Sequence, residues 1–231
     1  MHYYNSKVMY ERPLHVLLIH GNEKRFWLET ANFYAFLSQE VGIPKDLITN
    51  VPFVSNQHQT IDTIESFFLK LPKFRTVDIA VVYSGHGLSG EFLPNEIPFT
   101  YEAFAVYFDV KGDFIFINSC CYSGSCIDTF LNEGLLPDKG LLIASSRHNQ
   151  KSYDNKFLEA LKRAYRNGRE YKPKQLGRRY VIEERKSKTK SSIDQQKLDY
   201  YNNLWVEIIR DERQNPVRCG KSLDHLLFTN Q

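Results

Sequence analysis

An α/β fold built on a mostly parallel central sheet is what this sequence predicts. Two observations carry that reading: four short, nearly continuous apolar runs, and amphipathic segments between them that read as helices. Continuous rather than alternating apolar runs are what strands need when both faces of a sheet are covered.

The elements follow in chain order. His15-Val16-Leu17-Leu18-Ile19 is the first strand, and Phe26 to Val41 is a helix closed by Gly42 and Pro44. Leu47 to Val54 reads as a further strand, and Thr60 to Leu71 as an amphipathic helix stopped by Pro72. The second long apolar run is Val77 to Tyr83, followed by a helix near Tyr101 to Tyr107. Asp113 to Ile117 and Gly140 to Ala144 supply the remaining strands, and Lys156 to Asn167 a last helix. Residues 1–168 form the core of this scheme; residues 169–231 complete or flank the same domain. That last third opens with a stretch dense in Lys and Arg, Arg169 to Lys190, which reads as a solvated loop or an exposed processing loop. Leu198 to Ile209 fits either a helix or a strand.

Composition narrows the class. A length of 231 residues, 42% apolar and 25% charged, suits one soluble α/β domain with a sizeable core, and the 16 Phe and 14 Tyr suit a Phe-rich interior. A formal charge of +3 is too mild to call for nucleic acid or a membrane surface. The first 13 residues lack the basic start and apolar run of a secretory signal, and no apolar stretch is long enough to span a bilayer. Four cysteines, three of them crowded at Cys120, Cys121 and Cys126, are a poor disulfide framework and point to a reduced, cytoplasmic setting.

The chemistry is suggested by where the small polar clusters fall. The second long strand runs straight into Ser84-Gly85-His86-Gly87, and the third into Asn118-Ser119-Cys120-Cys121-Tyr122-Ser123-Gly124-Ser125. In parallel α/β sheets, sites form at the carboxyl ends of strands. A His and a Cys delivered there by consecutive strands can face each other, and an imidazole beside a thiol produces the reactive thiolate. Gly85 and Gly87 leave the backbone beside His86 open, so that the Gly87 and Cys121 N–H groups could form an oxyanion hole; Ser123-Gly124-Ser125 would turn the chain and cap the next helix. By itself a glycine-flanked His is a turn, and a Cys at a strand end is packing. Two such loops on consecutive strands are hard to explain by packing.

Tyr83-Ser84-Gly85-His86-Gly87 resembles the His motif of metacaspases, and Cys120-Cys121-Tyr122-Ser123-Gly124 their Cys motif. In that family the nucleophile is followed by any residue and then Ser-Gly, which selects Cys121 over Cys120. Asn149-Gln150-Lys151-Ser152-Tyr153-Asp154 is similar to the family's Asn-Gln-x-Ser-x-Asp loop beside the substrate pocket. Legumains share the first two motifs, and Gly42-Ile43-Pro44 echoes them too. The resemblance covers Val16 to Leu161 and implies a caspase-like α/β/α sandwich. It also implies a cysteine endopeptidase with a His86–Cys121 dyad, acting on protein or peptide substrates through an acyl-enzyme, with no required third member and no obligatory cofactor. The pattern departs at Ser119, where metacaspases have an Asp that helps bind Arg or Lys. Ser84, Ser119, Ser152 and Asp154 are then the pocket residues, with Glu29 a second negative charge, and cleavage after Arg or Lys is the expectation. Arg25, where caspases and legumains place a pocket Arg, argues instead for Asp or Asn. Calcium, as in some metacaspases, would fall to Asp109 and Asp113. The rival readings are a catalytically silent interaction module, a transpeptidase on the same dyad, and a zinc module using Cys120, Cys121 and Cys126. His20 reads as a structural turn, His148 as an exposed loop residue, and Cys126 as packing on the first turn of the helix after the nucleophile.

Overall fold

The computed structural model describes residues 13–53, 57–72, 76–108, 112–136, 140–152, 156–170 and 217–220. Six strands form one sheet: β1 (Leu14–His20), β2 (Ile48–Asn50), β3 (Asp78–Ser84), β7 (Phe114–Ser119), β8 (Gly140–Ala144) and β9 (Val217–Gly220), in the spatial order β2-β1-β3-β7-β8-β9. All pairings are parallel except that of β9 with β8. The numbering leaves room for a second, antiparallel sheet between β3 and β7, formed by β4 (Gly87–Leu88), β5 (Glu91–Phe92) and β6 (Phe99–Thr100).

The long strands are buried on both faces, as their unbroken apolar runs require. Alternate residues feed two separate cores. Val16, Leu18, Ala80, Val82, Ile115, Ile117, Leu141 and Ile143 pack against Phe33 and Phe36 of α1 (Lys24–Phe36) and Phe157, Leu158 and Leu161 of α5 (Lys156–Glu170). Leu17, Ile19, Val81, Tyr83, Phe114, Phe116, Leu142 and Ala144 pack on the other face. Their partners there are Ile64 and Phe67 of α2 (Gln57–Lys70), Phe104 of α3 (Tyr101–Ala105) and Phe130 of α4 (Ser125–Asn132). The expected α/β/α sandwich is thus formed, and much of the aromatic content sits in one cluster: the Phe104 ring lies 4.9 Å from those of Phe92 and Phe108 and 5.3 Å from that of Phe116.

Several expectations shift. The strand foreseen at Leu47 to Val54 is limited to Ile48–Asn50 among the described residues, with Leu47 taken by a 3-10 turn over Lys45–Leu47. α1 begins two residues before Phe26 and ends in a π-type turn, Leu37–Val41, closed by Gly42 in the left-handed conformation (φ 87°). α2 begins at Gln57 rather than Thr60, and α3 is one short turn continued by a 3-10 turn over Val106–Phe108. The small sheet and β9 carry no pattern long enough to be read from sequence. The basic stretch, Leu198 to Ile209 and Asp154 lie outside the described residues, apart from the end of α5.

Candidate active site

β3 and β7 are hydrogen-bonded neighbours in which Ser84 stands opposite Ser119, so the loops that follow leave the same edge of the sheet side by side. The first is held by Tyr83. Its buried phenol donates to the His86 carbonyl at 2.7 Å and accepts from the Leu93 N–H at 3.3 Å. Burial pushes that phenol's pKa well up, so it stays protonated and able to donate. Glycine at 85 is required by close approach: a Cβ there would lie 2.1 Å from the Tyr83 hydroxyl oxygen and 2.9 Å from the Gly21 nitrogen. Backbone bonds from Gly85 N–H to the Ser119 carbonyl (3.2 Å) and from Gly21 N–H to the Ser84 carbonyl (2.8 Å) join the loops after β1, β3 and β7.

Gly87 is equally constrained. Its missing Cβ would sit 2.4 Å from Cys120 Sγ and 2.6 Å from the Cys121 carbonyl oxygen, so the two loops touch through this residue. The Leu93 N–H donates to the His86 carbonyl at 3.1 Å, which makes that the hydrogen-bonded pair of the hairpin. Gly87, opposite Phe92, is then in the alternate pair, with its N–H directed away from β5. The expectation that both glycines serve to keep the backbone open is therefore revised: both are buried, and packing excludes a side chain.

The two adjacent cysteines part company at the end of β7. Cys120 is buried, with Sγ donating to Asn118 Oδ1 at 3.1 Å and 4.0 Å from the Tyr101 hydroxyl. Burial, with the neighbouring Cys126, drives its pKa well above a thiol's usual value. Cys121 is half-buried and faces the cleft, its Sγ accepting from the Ser152 N–H at 3.4 Å. Directly after the pair the chain turns at Tyr122, held at φ 58°, a conformation costly for an aromatic residue. What holds it there is a Tyr122 N–H bond to the Gln150 carbonyl (2.8 Å) and a buried set of hydroxyls beneath. Ser145 and Ser146 both donate to the Cys120 carbonyl at 3.2 Å, and Ser123 Oγ lies 3.3 Å and 3.1 Å from their oxygens. The serines expected to cap the next helix do not do so: α4 has Gly124 at its N-cap and no side-chain cap, because Ser123 is committed to this network and Ser125 Oγ donates to the Tyr122 carbonyl (2.7 Å). Gly124 packs on the loop after β8, where a Cβ would meet His148 N at 2.6 Å.

Between the loops lies a cavity of about 220 Å³ lined by Arg25, Phe26, Glu29, Ser84, Gly85, His86, Ser119, Cys121 and Ser152. His86 and Cys121 share this cavity without a hydrogen bond between them. Instead, His86 Nε2 donates to Glu23 Oε1 at 2.5 Å, and the Phe26 ring meets the imidazole edge-on at 5.0 Å. Glu23 is also gripped by Arg25, through Nε to Oε2 (2.8 Å) and NH2 to Oε1 (2.9 Å). These bonds, from Arg25 first and then His86, hold the Glu23 carboxyl below its usual pKa. Deeper in the wall, buried Ser84 donates to the carboxylate of buried Glu29.

Of the residues singled out from sequence, His86, Cys121, Ser84, Ser119, Ser152, Glu29 and Arg25 line this one cavity, and Gly87 adjoins it. Asp154 lies outside the described residues. His20 is not a turn residue but the last residue of β1, buried, its Nδ1 2.7 Å from the Gly21 carbonyl and its Nε2 2.8 Å from that of Val51. His148 is exposed and pairs with Asp128 at 3.4 Å, away from the cavity lining. Cys126 is buried in α4, as foreseen. Asp109 is outside the described residues, and Asp113 is buried before the amino end of β7, the sheet edge opposite the cavity, where its N–H donates to Asp78 Oδ1 (2.7 Å). Among the described residues no group of three or more His, Cys, Asp or Glu gathers as a metal site. Sequence reasoning missed Glu23, Tyr83, Ser145 and Ser146. Only Ser145-Ser146, directly after the apolar run of β8, carried a signal of the same kind as the two loops that were found.

No family model and no curated protein sequence matches this chain. Among solved structures, caspase-1 from Spodoptera frugiperda superposes with a TM-score of 0.57 at 12% sequence identity, over 92% of this chain and 88% of its own. The chain therefore has the caspase-like fold: a mostly parallel sheet, helices on both faces, and a cleft at the carboxyl edge. Among the described residues, no helix is long and apolar enough to cross a membrane.

Proposed function

We propose that this protein is a cysteine endopeptidase with Cys121 as nucleophile and His86 as general base. The observation that carries this is the delivery of both side chains, from adjacent strands, into one cavity of about 220 Å³ whose far wall is polar. With Nε2–H donating to Glu23, the Nδ1 lone pair of His86 is left to take the thiol proton. Cys121 Sγ then attacks the peptide carbonyl, and the oxyanion is met by the N–H groups of Gly87 and Cys121. The imidazolium returns its proton to the leaving amine, and water, deprotonated by the same nitrogen, releases the acyl group. Cys120 is unsuited to the nucleophile's part because its thiol is buried and held neutral.

The cleft favours a basic side chain before the scissile bond. Arg25 is already neutralised by Glu23, whereas Glu29, Ser84, Ser119 and Ser152 offer a carboxylate and hydroxyls in the cavity wall. Asp154 would add to these. The three described cysteines are free thiols, which fits a reducing, cytoplasmic compartment.

The test is hydrolysis of a fluorogenic peptide panel varying only the residue before the cleaved bond, with and without calcium, by wild type, Cys121→Ala and Cys120→Ala. Activity retained in Cys120→Ala and abolished in Cys121→Ala is expected, with Arg or Lys preferred. Equal activity in Cys121→Ala would sink the assignment, and preference for Asp or Asn would overturn the pocket reading alone.

A further inference from the structure

We propose that Glu23 is a positioning residue for His86, so that the working unit is Glu23–His86–Cys121 rather than a dyad, with Arg25 fixing the carboxylate in place. The inference rests on the peptidase reading above.

Its basis is the geometry of one carboxylate. Glu23 stands at the N-cap of α1, immediately after the β1 loop, and reaches across that loop to His86 Nε2 at 2.5 Å. It does not cap the helix: the cap makes no side-chain bond, so the carboxylate is spent wholly on the side chains of His86 and Arg25. Arg25 occupies both oxygens in the planar fork that guanidinium and carboxylate share, leaving Glu23 Oε1 turned to the imidazole. The loop itself is anchored. Gly21 N–H is bonded to the Ser84 carbonyl, and the Asn22 amide donates to Glu96 Oε1 at 2.5 Å. Phe26, on the same helix, closes the edge of the imidazole. On the other side, Tyr83 pins the His86 main chain. The ring is thus constrained at its backbone, its edge and its Nε2, and the constraint at Nε2 selects the tautomer whose Nδ1 can accept a proton.

A carboxylate does more here than an amide or a carbonyl would. It favours the imidazolium that forms once the thiol proton has moved. The charged and titratable groups facing His86 are Glu23 and Arg25 from the start of α1, Glu29 from its second turn, and Cys121 from the loop after β7. Arg25 opposes Glu23 in part, and about two-fifths of each side chain is exposed, so the electrostatic share is screened by salt.

Two variants separate orientation from charge. Glu23→Gln keeps an acceptor for Nε2–H and loses the charge, whereas Glu23→Ala loses both. Removing a negative charge lowers the pKa of every neighbouring acid. The kcat/KM–pH profile should therefore move to lower pH in Glu23→Gln, more at low salt than at high salt. Glu23→Ala should show the same displacement and a loss of roughly 5- to 20-fold in kcat with KM little changed. The second readout is free of turnover: the imidazole nitrogen shifts of His86, followed by NMR in Cys121→Ala, should report Nε2–H as the neutral tautomer and lose that preference when Glu23→Ala is added. An active wild type whose Glu23→Ala variant keeps its kcat and pH profile, with the His86 tautomer unchanged, overturns the inference and leaves the peptidase reading standing. A wild type without peptidase activity, or one indifferent to Cys121→Ala, overturns that reading and removes the catalytic part of this one with it.

Discussion

Gly87→Ala tests the link between fold and proposed chemistry most directly, because one added methyl acts on both. The new Cβ would lie 2.4 Å from Cys120 Sγ, 2.6 Å from the Cys121 carbonyl oxygen and 3.1 Å from Cys120 Cβ. All three contacts are well inside van der Waals distance, and one is to backbone. Cys120 is buried and cannot swing away, so the hairpin carrying Gly87 and the loop carrying Cys121 must separate. Overpacking of this kind costs about 1–3 kcal/mol, or a Tm lower by roughly 2–12 °C for a chain of this size. The same separation moves the Gly87 N–H away from the proposed oxyanion position, where one misplaced donor costs about 10²–10³ in kcat. Thermal unfolding and kcat/KM on the preferred fluorogenic peptide measure the two effects. Cys120→Ala in the same background removes the sulfur contact but not the carbonyl contact. Part of the lost Tm should return, therefore, while the activity should not. A Gly87→Ala protein with wild-type Tm and undiminished kcat/KM would refute both the close approach and the role given to this N–H. Recovery of activity together with Tm in the double variant would show that the sulfur clash alone separates the loops and that the carbonyl contact is accommodated without moving the N–H.

Among the described thiols, Cys121 alone should react with iodoacetamide in the folded protein; peptide mapping that finds Cys120 or Cys126 modified as fast would contradict their burial. Phe104→Ala removes the hub of the aromatic cluster and should cost about 3–5 kcal/mol in urea unfolding, whereas a cost under about 1 kcal/mol would mean that the rings repack around the gap. The Cys120 pKa is raised by burial, so its contribution to stability is complete below the usual thiol value of 9.0 and is lost as pH climbs beyond it towards the folded value. Tyr83 and Tyr101 add the same trend above 10.0. Tm should accordingly hold through neutral pH and fall above about 9, less steeply in Cys120→Ala, and an unchanged alkaline slope in that variant would count against the buried-thiol account. Ser123→Ala should loosen the Cys121 loop at a cost of about 1–3 kcal/mol, since it strips a partner from the buried hydroxyls of Ser145 and Ser146; equal stability would show the network to be redundant.

The sequence by itself determined the sandwich and the location of its cleft. Unbroken apolar runs such as Val77 to Tyr83 are tolerated only where both faces of a sheet are covered, and the abrupt change to Ser-Gly-His-Gly marks the point where that covered region ends. Hydrophobic periodicity is a local property, so both features survive in a one-dimensional string. Tertiary structure decided what depends on contacts between distant residues. The two-residue strands of the small sheet and the antiparallel β9 are too short for any period to register. Glu23 and His86 are 63 positions apart, and Ser123 and Ser146 are 23 apart, so nothing local announces that they meet. The glycines show the division most sharply. Gly85 and Gly87 are legible in sequence as openings, yet the fold uses them as points of closest contact: the Tyr83 phenol and the Gly21 backbone leave no volume for a Cβ at Gly85, and the loop after β7 leaves none at Gly87.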